Sequence, residues 1–381
     1  MRVTIDARPA VDREKTGVGY YAWHLIRRLP EVDPETTYVA WYVHVRTVLQ
    51  RPRHFDDVRL PNLRERGVVY PSRLLERTAR RGFPRIEWFG RFDVLFGTNF
   101  VPPPTRASRV VVTVHDLAFR RYPETAPQAV AWWRRALERT LRDATRVIVP
   151  SSATRDDLLE LYEVEPERVA VIPLAVDREV FRPPSPERVA AVRERFGIDG
   201  PYLLALGRTA RKNLPRLLLA FAAIPADLRP KLVVAGAPPW SPDRVDAALQ
   251  TLGELPPEVR ADVAFVGYVT DEQKVALLGG ALALAYPSLA EGFGFPALEA
   301  MACGTPVVAS GVSSLPELVG AAGVLVDPLE PDSIAEGIVR VIEDEALRAR
   351  LREAGLARAA EFDWGETARA TARVLHLAAG D

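Results

Sequence analysis

The 381-residue sequence holds one cysteine, Cys303, two methionines and only four lysines. A lone cysteine excludes an internal disulfide framework and any cysteine-cluster metal centre. Flanked by Met301, Ala302 and Gly304, it reads as a small buried thiol. No run of about 18 apolar residues occurs, so no segment reads as a membrane span. The opening MRVTIDARPA lacks the basic start, apolar run and small-residue cleavage site of a secretion signal. The expected location is therefore cytoplasmic. There is no short-period repeat and no low-complexity tract. Net charge is absent too, with 50 basic side chains against 50 acidic ones, but the balance hides a split. Positions 1–175 carry 29 basic and 22 acidic residues, a net of +7, and the remainder carry 21 and 28, a net of −7. Such asymmetry suggests two domains in different surroundings. Between Arg51 and Arg91, 11 arginines face five acidic residues. One reading is a site for an anionic acceptor or a peripheral contact with the inner face of the plasma membrane. The other is a solvated arginine-rich face in a chain that uses arginine in preference to lysine. No nucleic-acid-binding module accompanies the cluster, so nucleic acid is not an expected partner.

What is present is an alternation of short apolar runs and helix-length amphipathic segments. Strands are predicted at Val3–Ile5, Tyr38–Val43, Val94–Phe96, Val110–Val114 and Val147–Val149, with helices over Gly17–Leu29 and Ala126–Arg142. This order implies a parallel sheet with crossover helices. It stops after Ile172-Pro173, where prolines continue to Pro186 and mark a linker candidate. A second series follows, with strands at Tyr202–Ala205, Lys231–Ala235, Val263–Val266, Ala283–Tyr286 and Val307–Ala309. An amphipathic helix over Glu366–Leu377 closes the pattern. The fold class is α/β, with two Rossmann-like doubly wound domains. Open parallel sheets bind ligands beyond the carboxyl ends of their strands, so chemistry is sought just after each strand.

Four such places stand out. Thr16-Gly17-Val18-Gly19 opens a helix after the first strand, where glycines allow close approach of the backbone and a helix N-terminus favours phosphate. The third glycine of a dinucleotide fingerprint is replaced by Ala22, which argues against a nicotinamide dehydrogenase. His115-Asp116-Leu117 follows Val110–Val114 and places an imidazole at a strand end. Gly207-Arg208 and Lys212-Asn213 straddle a loop that opens a helix. An arginine fork and a lysine point charge there suit a diphosphate. Finally, Glu291 begins EGFGFPALE, with Gly292 and Gly294 freeing the backbone, Pro296 in a first helical turn and Glu299 among apolar neighbours. A carboxylate so placed needs a partner. A ribose diol would satisfy it, as would a buried ion pair.

Glu291 and Glu299 within EGFGFPALEAMACGTPVVAS, together with GRTARKN at 207–213, resemble the signature of glycosyltransferase family 4. The TGVG loop, the HDL segment, PSSATRDDL at 150–158 and Phe362-Asp363-Trp364 fall in the expected order. The resemblance implies the GT-B architecture, two Rossmann-like domains facing a cleft. An acceptor-side domain would span 1–175, a nucleotide-sugar-binding domain 176–363, and a helix over 364–381 would pack back on the first. It implies a retaining transferase that moves a hexose from a nucleotide diphosphate sugar, GDP-mannose or a UDP sugar, to a glycan or lipid-linked acceptor. It also implies no metal ion or other cofactor, with Arg208 and Lys212 neutralising the departing diphosphate. Glu291 would contact the donor sugar with the amides around Phe293, Gly294 and Phe295, and Glu299 would hold the ribose. His115, Gly17 and Gly19 would contribute from the first domain, and Gly207, Gly267, Tyr268 and Val269 would line the nucleotide. The alternatives are a nucleotide-sugar epimerase on the same scaffold and a nucleotide-sugar-binding protein without catalysis.

Overall fold

The computed structural model describes residues 1–11, 15–44, 54–55, 57–58, 60–69, 85–125, 127–236 and 247–380. Much of the arginine-rich stretch, including Arg51, Arg53, Arg59, Arg73, Arg77, Arg80 and Arg81, lies outside the described residues. The chain divides into two compact units. Unit 1 comprises Met1–Arg120, Pro127–Leu174 and Asp363–Asp381, and unit 2 comprises Arg121–Ala126 and Ala175–Phe362.

Unit 1 is built on β1 (Arg2–Asp6), β2 (Thr37–His44), β3 (Leu63–Val69), β4 (Val94–Gly97), β5 (Val110–Thr113), β6 (Arg146–Val149) and β7 (Val169–Val171). All pair in parallel, in the order β3-β2-β1-β4-β5-β6-β7. The central strands VLFG and VVVT are buried along their whole length, the unbroken apolar run expected of a parallel sheet covered on both faces. β3 was not anticipated, because LRERGVV sits inside the arginine-rich stretch and lacks an apolar run. It is an edge strand, where charged side chains are tolerated.

Three helices are needed to describe unit 1. They are α1 (Gly17–Val32), α2 (Pro127–Asp143) and the last helix, Trp364–Ala379. The last helix packs on α1 and on β4, β5 and β6, and its Trp364, Ala368, Thr371 and Leu375 are buried. Trp364 stacks on His24 with ring centroids 4.4 Å apart. Thr367 donates to the Pro173 carbonyl at 2.9 Å, and His376 Nε2 lies 3.0 Å from Asp33 Oδ2.

Unit 2 holds β8 (Tyr202–Leu206), β9 (Lys231–Ala235), β10 (Val263–Gly267), β11 (Ala283–Tyr286), β12 (Val307–Ser310) and β13 (Val324–Val326), all parallel, in the order β10-β9-β8-β11-β12-β13. Its core includes Leu203, Leu218, Phe221, Leu232 and Ile338, none with any exposure. Most of the proline-rich stretch read as a linker belongs to this unit, anchored by buried Phe181. It ends where Ser185 caps α3 (Pro186–Phe196), with proline in the first turn as that position prefers. In both sheets the strand order reverses beside the first strand, between β1 and β4 and between β8 and β11. The carboxyl ends at such a reversal form the crevice where doubly wound sheets hold ligands.

Candidate active site

The loops after β8, β9 and β10 are thinned by glycine. Gly207 has φ +90°, and a Cβ there would stand 3.3 Å from the Lys212 side chain. Gly236 has φ +141°, and a Cβ there would stand 3.0 Å from Gly207 Cα. Gly267, at φ +73°, accepts from the Gly236 amide at 2.7 Å. Three neighbouring strands therefore end in backbone that only glycine adopts cheaply. Tyr268 follows, 62% exposed, and then half-buried Val269. Arg208 lies with its guanidinium 4.8 Å above the Phe265 ring, a cation–π contact that orients the fork. Asn213, in the left-handed region at φ 60°, donates from Nδ2 to the Pro287 and Pro328 carbonyls at 3.0 and 2.6 Å. These bonds fix the loop just before α4 (Leu214–Ala223).

Glu291 lies beyond β11, the strand beside β8, and the Gly207–Asn213 loop reaches it. Its Oε1 accepts from Lys212 Nζ at 2.6 Å and from the Tyr286 hydroxyl at 2.8 Å, and its Oε2 accepts from Arg211 at 2.9 Å. Lys212 also donates to Tyr286. The backbone is held as firmly: Ser313 and Ser314 hydroxyls donate to the Glu291 carbonyl at 2.7 and 2.8 Å. Burial alone would raise this carboxyl, but the charges of Arg211 and Lys212 and the donated hydrogen bonds outweigh it and lower the pKa to about 2. Glu291 is thus a fixed anion at neutral pH, unsuited to proton transfer and suited to accepting hydrogen bonds. Burial, with the Glu291 charge beside it, drives the Tyr286 phenol well up, so it stays protonated. Arg208, Arg211 and Lys212 outnumber Glu291, which leaves the loop net positive.

Gly294 caps the helix Phe295–Ala302 at φ +107°, where a Cβ would stand 2.7 Å from Leu315 Cδ2. Before that helix comes α5 (Asp271–Gly280), and the Gly294-capped helix is α6 (Phe295–Ala302). The Phe293 side chain is buried and makes edge contacts with Phe295 and Phe362, each at 5.7 Å. The side chain of Phe293 is therefore core, and its backbone is what the loop presents. Glu299, on α6, accepts from Lys274 of α5 at 2.9 Å, and Lys274 also pairs with Asp271 at 3.2 Å. Of the two partners considered for Glu299, the structure displays the ion pair. Burial raises the Glu299 carboxyl more than Lys274 lowers it. Burial likewise pushes the Cys303 thiol up to about 12, with the Glu299 charge adding to it, as an inert structural cysteine requires.

In unit 1, His115 follows β5 and its Nε2 lies 2.9 Å from the Thr98 carbonyl beyond β4. A carbonyl only accepts, so Nε2 carries the proton and Nδ1 is the acceptor of the neutral ring. Burial lowers the His115 pKa more than the Thr98 bond and Asp116 raise it. Tyr21 meets the ring edge-on at 4.9 Å and bonds Thr113 Oγ1 at 2.9 Å, so the imidazole is clamped on two sides. Gly17 is the exposed first residue of α1. Gly19 is buried, and a Cβ there would stand 2.7 Å from the Pro9 carbonyl, so packing dictates that glycine.

The structure thus joins Glu291 with Lys212 and sets Arg208 on the same loop. It keeps the Glu299–Lys274 pair, the glycine-ended strands and His115 each within its own unit. Arg211, Tyr286, Lys274, Ser313 and Ser314 were not singled out as site residues, although Arg211 stands inside GRTARKN. Among the described residues, no group of three or more His, Cys, Asp or Glu side chains could hold a metal ion, and no helix is long and apolar enough to cross a membrane.

Residues 191–358 match the family model described as glycosyl transferases group 1, and residues 15–180 match glycosyltransferase family 4. The chain is 32% identical to the O-antigen chain mannosyltransferase B of Escherichia coli, over 92% of this chain and 93% of that one. It is 30% identical to the MMP alpha-(1->4)-mannosyltransferase of Mycolicibacterium hassiacum, over 96% of each. Among solved structures, sucrose-phosphate synthase from Thermosynechococcus elongatus superposes with a TM-score of 0.75 at 22% identity, covering 99% of this chain and 98% of that one. Anabaena HepE, solved with UDP and glucose, superposes with a TM-score of 0.72 at 20% identity, covering 99% of this chain and 100% of that one.

Proposed function

Because the chain belongs to the family 4 glycosyltransferases, with their α/β two-domain GT-B architecture, we propose that it is a retaining hexosyltransferase. It takes mannose from GDP-mannose, or a hexose from a UDP sugar, and delivers it to a glycan or lipid-linked acceptor in cell-surface polysaccharide synthesis. The observation that carries this reading is the cluster at the carboxyl ends of β8 and β11, where Arg211 and Lys212 pair with one carboxylate that is ionised at neutral pH and Arg208 stands on the same loop.

In this mechanism the bond from sugar C1 to the β-phosphate oxygen breaks as the acceptor hydroxyl oxygen bonds to C1. The acceptor proton passes to the departing diphosphate. Positive charge develops on the sugar and negative charge on the leaving group. Arg208 and Lys212 stabilise the leaving diphosphate, which makes metal-free transfer chemically reasonable. Arg211 and Lys212 hold Glu291 ionised, so that it accepts from donor-sugar hydroxyls and faces the developing positive charge. Backbone amides from Phe293 to Phe295 bind beside it. Glu299, held by Lys274, binds the ribose hydroxyls, while Gly207, Gly267, Tyr268 and Val269 take the rest of the nucleotide. His115, with Nδ1 as an acceptor, serves the same reaction, and Gly17 and Gly19 supply backbone for the diphosphate. The exposed side chains Arg64, Arg66 and Arg91 make a peripheral membrane contact reasonable for a lipid-linked acceptor.

The mannosyltransferase names of the relatives make the GDP series the first to test. The UDP of the HepE structure makes the UDP series the second. Thermal unfolding with GDP, UDP, ADP and their sugar conjugates, each with and without EDTA, should show one base raising the melting temperature regardless of chelator. With that donor and a glycan acceptor, NMR of the first product should show the anomeric configuration of the donor. Stabilisation by none of the nucleotides would remove the donor assignment. Stabilisation lost in EDTA would remove metal independence, and an inverted product would remove retention.

A further inference from the structure

A cavity of about 160 Å³ lies in unit 1 on the sheet face formed by β1, β2 and β3. It is separate from the proposed transfer residues of this unit, which follow the carboxyl ends of the strands. β2 and β3 pair in register, Val39 with Arg64 and Trp41 with Arg66. Side chains two apart on a strand share a face, so Arg64 and Arg66 stand together beside Trp41. The segment Ile86–Phe92 closes the cavity from the other side and brings Arg91 with two aromatic rings, Phe89 and Phe92.

Two deficits meet here. First, among the described residues the side chains of Arg64, Arg66 and Arg91 have no hydrogen-bond or ion-pair acceptor, and all three are exposed. The carboxylate among the described lining residues, Glu65, accepts on its Oε1 from the Tyr42 hydroxyl at 2.5 Å and the His54 amide at 2.6 Å. Second, Trp41 is only 4% exposed, yet its Nε1–H has no partner among the described residues. A buried donor without an acceptor is unusual in a folded protein and calls for an explanation.

We propose that this cavity binds a phosphate-bearing anion. Guanidinium forks match phosphate oxygens bidentately, and the aromatic and aliphatic lining leaves room for a less polar group attached to the phosphate. Arg64, Arg66 and Arg91 neutralise the charge, and the Trp41 indole, which lines the same cavity, reports on it. The inference goes beyond the transferase reading and does not depend on it. The same chemistry could come from a soluble phosphate ester or from a lipid headgroup.

The test uses the whole chain labelled with ¹⁵N at tryptophan, with Trp41→Phe identifying the Trp41 indole signal. This readout is local to the cavity and blind to phosphate bound at Arg208 and Lys212. Titrants are inorganic pyrophosphate, inorganic phosphate, and phosphatidylcholine vesicles with and without phosphatidylglycerol. Pyrophosphate or phosphate should shift the Trp41 signal saturably, and Arg64→Gln with Arg66→Gln should weaken that response at least tenfold. The other indole signals report whether the variant stays folded. A response only to phosphatidylglycerol vesicles keeps the site and makes a lipid headgroup its source. A Trp41 signal unmoved by every titrant, or a folded double variant that titrates like the parent, overturns the proposal.

Discussion

Glu291 carries the most consequence of any single side chain. Its folded pKa of about 2 lies below the ordinary 4.5, so its ion pairs add stability above pH about 4.5 and lose it as the pH falls toward 2. At about 1.4 kcal/mol per pKa unit this is on the order of 3 kcal/mol. Glu291→Gln keeps the shape and removes the charge. We expect it to slow transfer about a hundredfold, roughly 3 kcal/mol of transition-state stabilisation, and to flatten the acid-unfolding profile below pH 4.5. A variant with parental kcat and a parental acid profile would show that the charge does neither. Glu291, Glu299, Arg208 and Lys212 were legible in the sequence because each falls in a motif just after a strand. Arg211 was not, because three cations within five residues do not reveal which of them turns toward the carboxylate. Lys274 was hidden for another reason: three residues after Asp271 on a helix, it looks like half of a surface ion pair.

At the scale of elements, the most constrained junction is the turn into α6. Gly294 combines φ +107° with a space closed by Leu315 and Leu318, both buried, so neither leucine can swing into solvent. Gly294→Ala should lower the stability of unit 2 by about 2–4 kcal/mol, adding left-handed strain to a clash. Gly197→Ala is the control: φ is +61° there, but nothing lies within 4 Å of a Cβ, so only strain of about 1–2 kcal/mol is expected. Calorimetry compares the two, and equal losses would show that the contact with Leu315 is immaterial. The three-residue edge strand β13 was passed over, whereas the central apolar strands of both sheets were legible because burial on two faces demands unbroken runs of Val, Leu and Ile. β3 was not, because an edge strand needs only one partner and can carry Arg64 and Arg66 on a single face.

Over the whole molecule, the sequence order and the division into units disagree at two points, the short segment Arg121–Ala126 and, at larger scale, the last helix. The last helix belongs to unit 1, although all of Ala175–Phe362 lies between it and the rest of that unit. Removing residues 363–381 should raise amide exchange in β4, β5 and β6, which the last helix touches, and leave β8–β13 protected. Unchanged exchange in unit 1 would mean that the helix is an ornament on a finished core. The same arrangement bears on how the chain is made. Leu174 and Asp363 are about 190 residues apart. At roughly 5–20 residues per second, unit 1 waits on the order of 10–40 s on the ribosome with Trp364, Ala368 and Leu375 not yet available to cover α1. The later-made unit 2 can therefore mature first, while the early-made unit lacks its closing helix until the chain is finished.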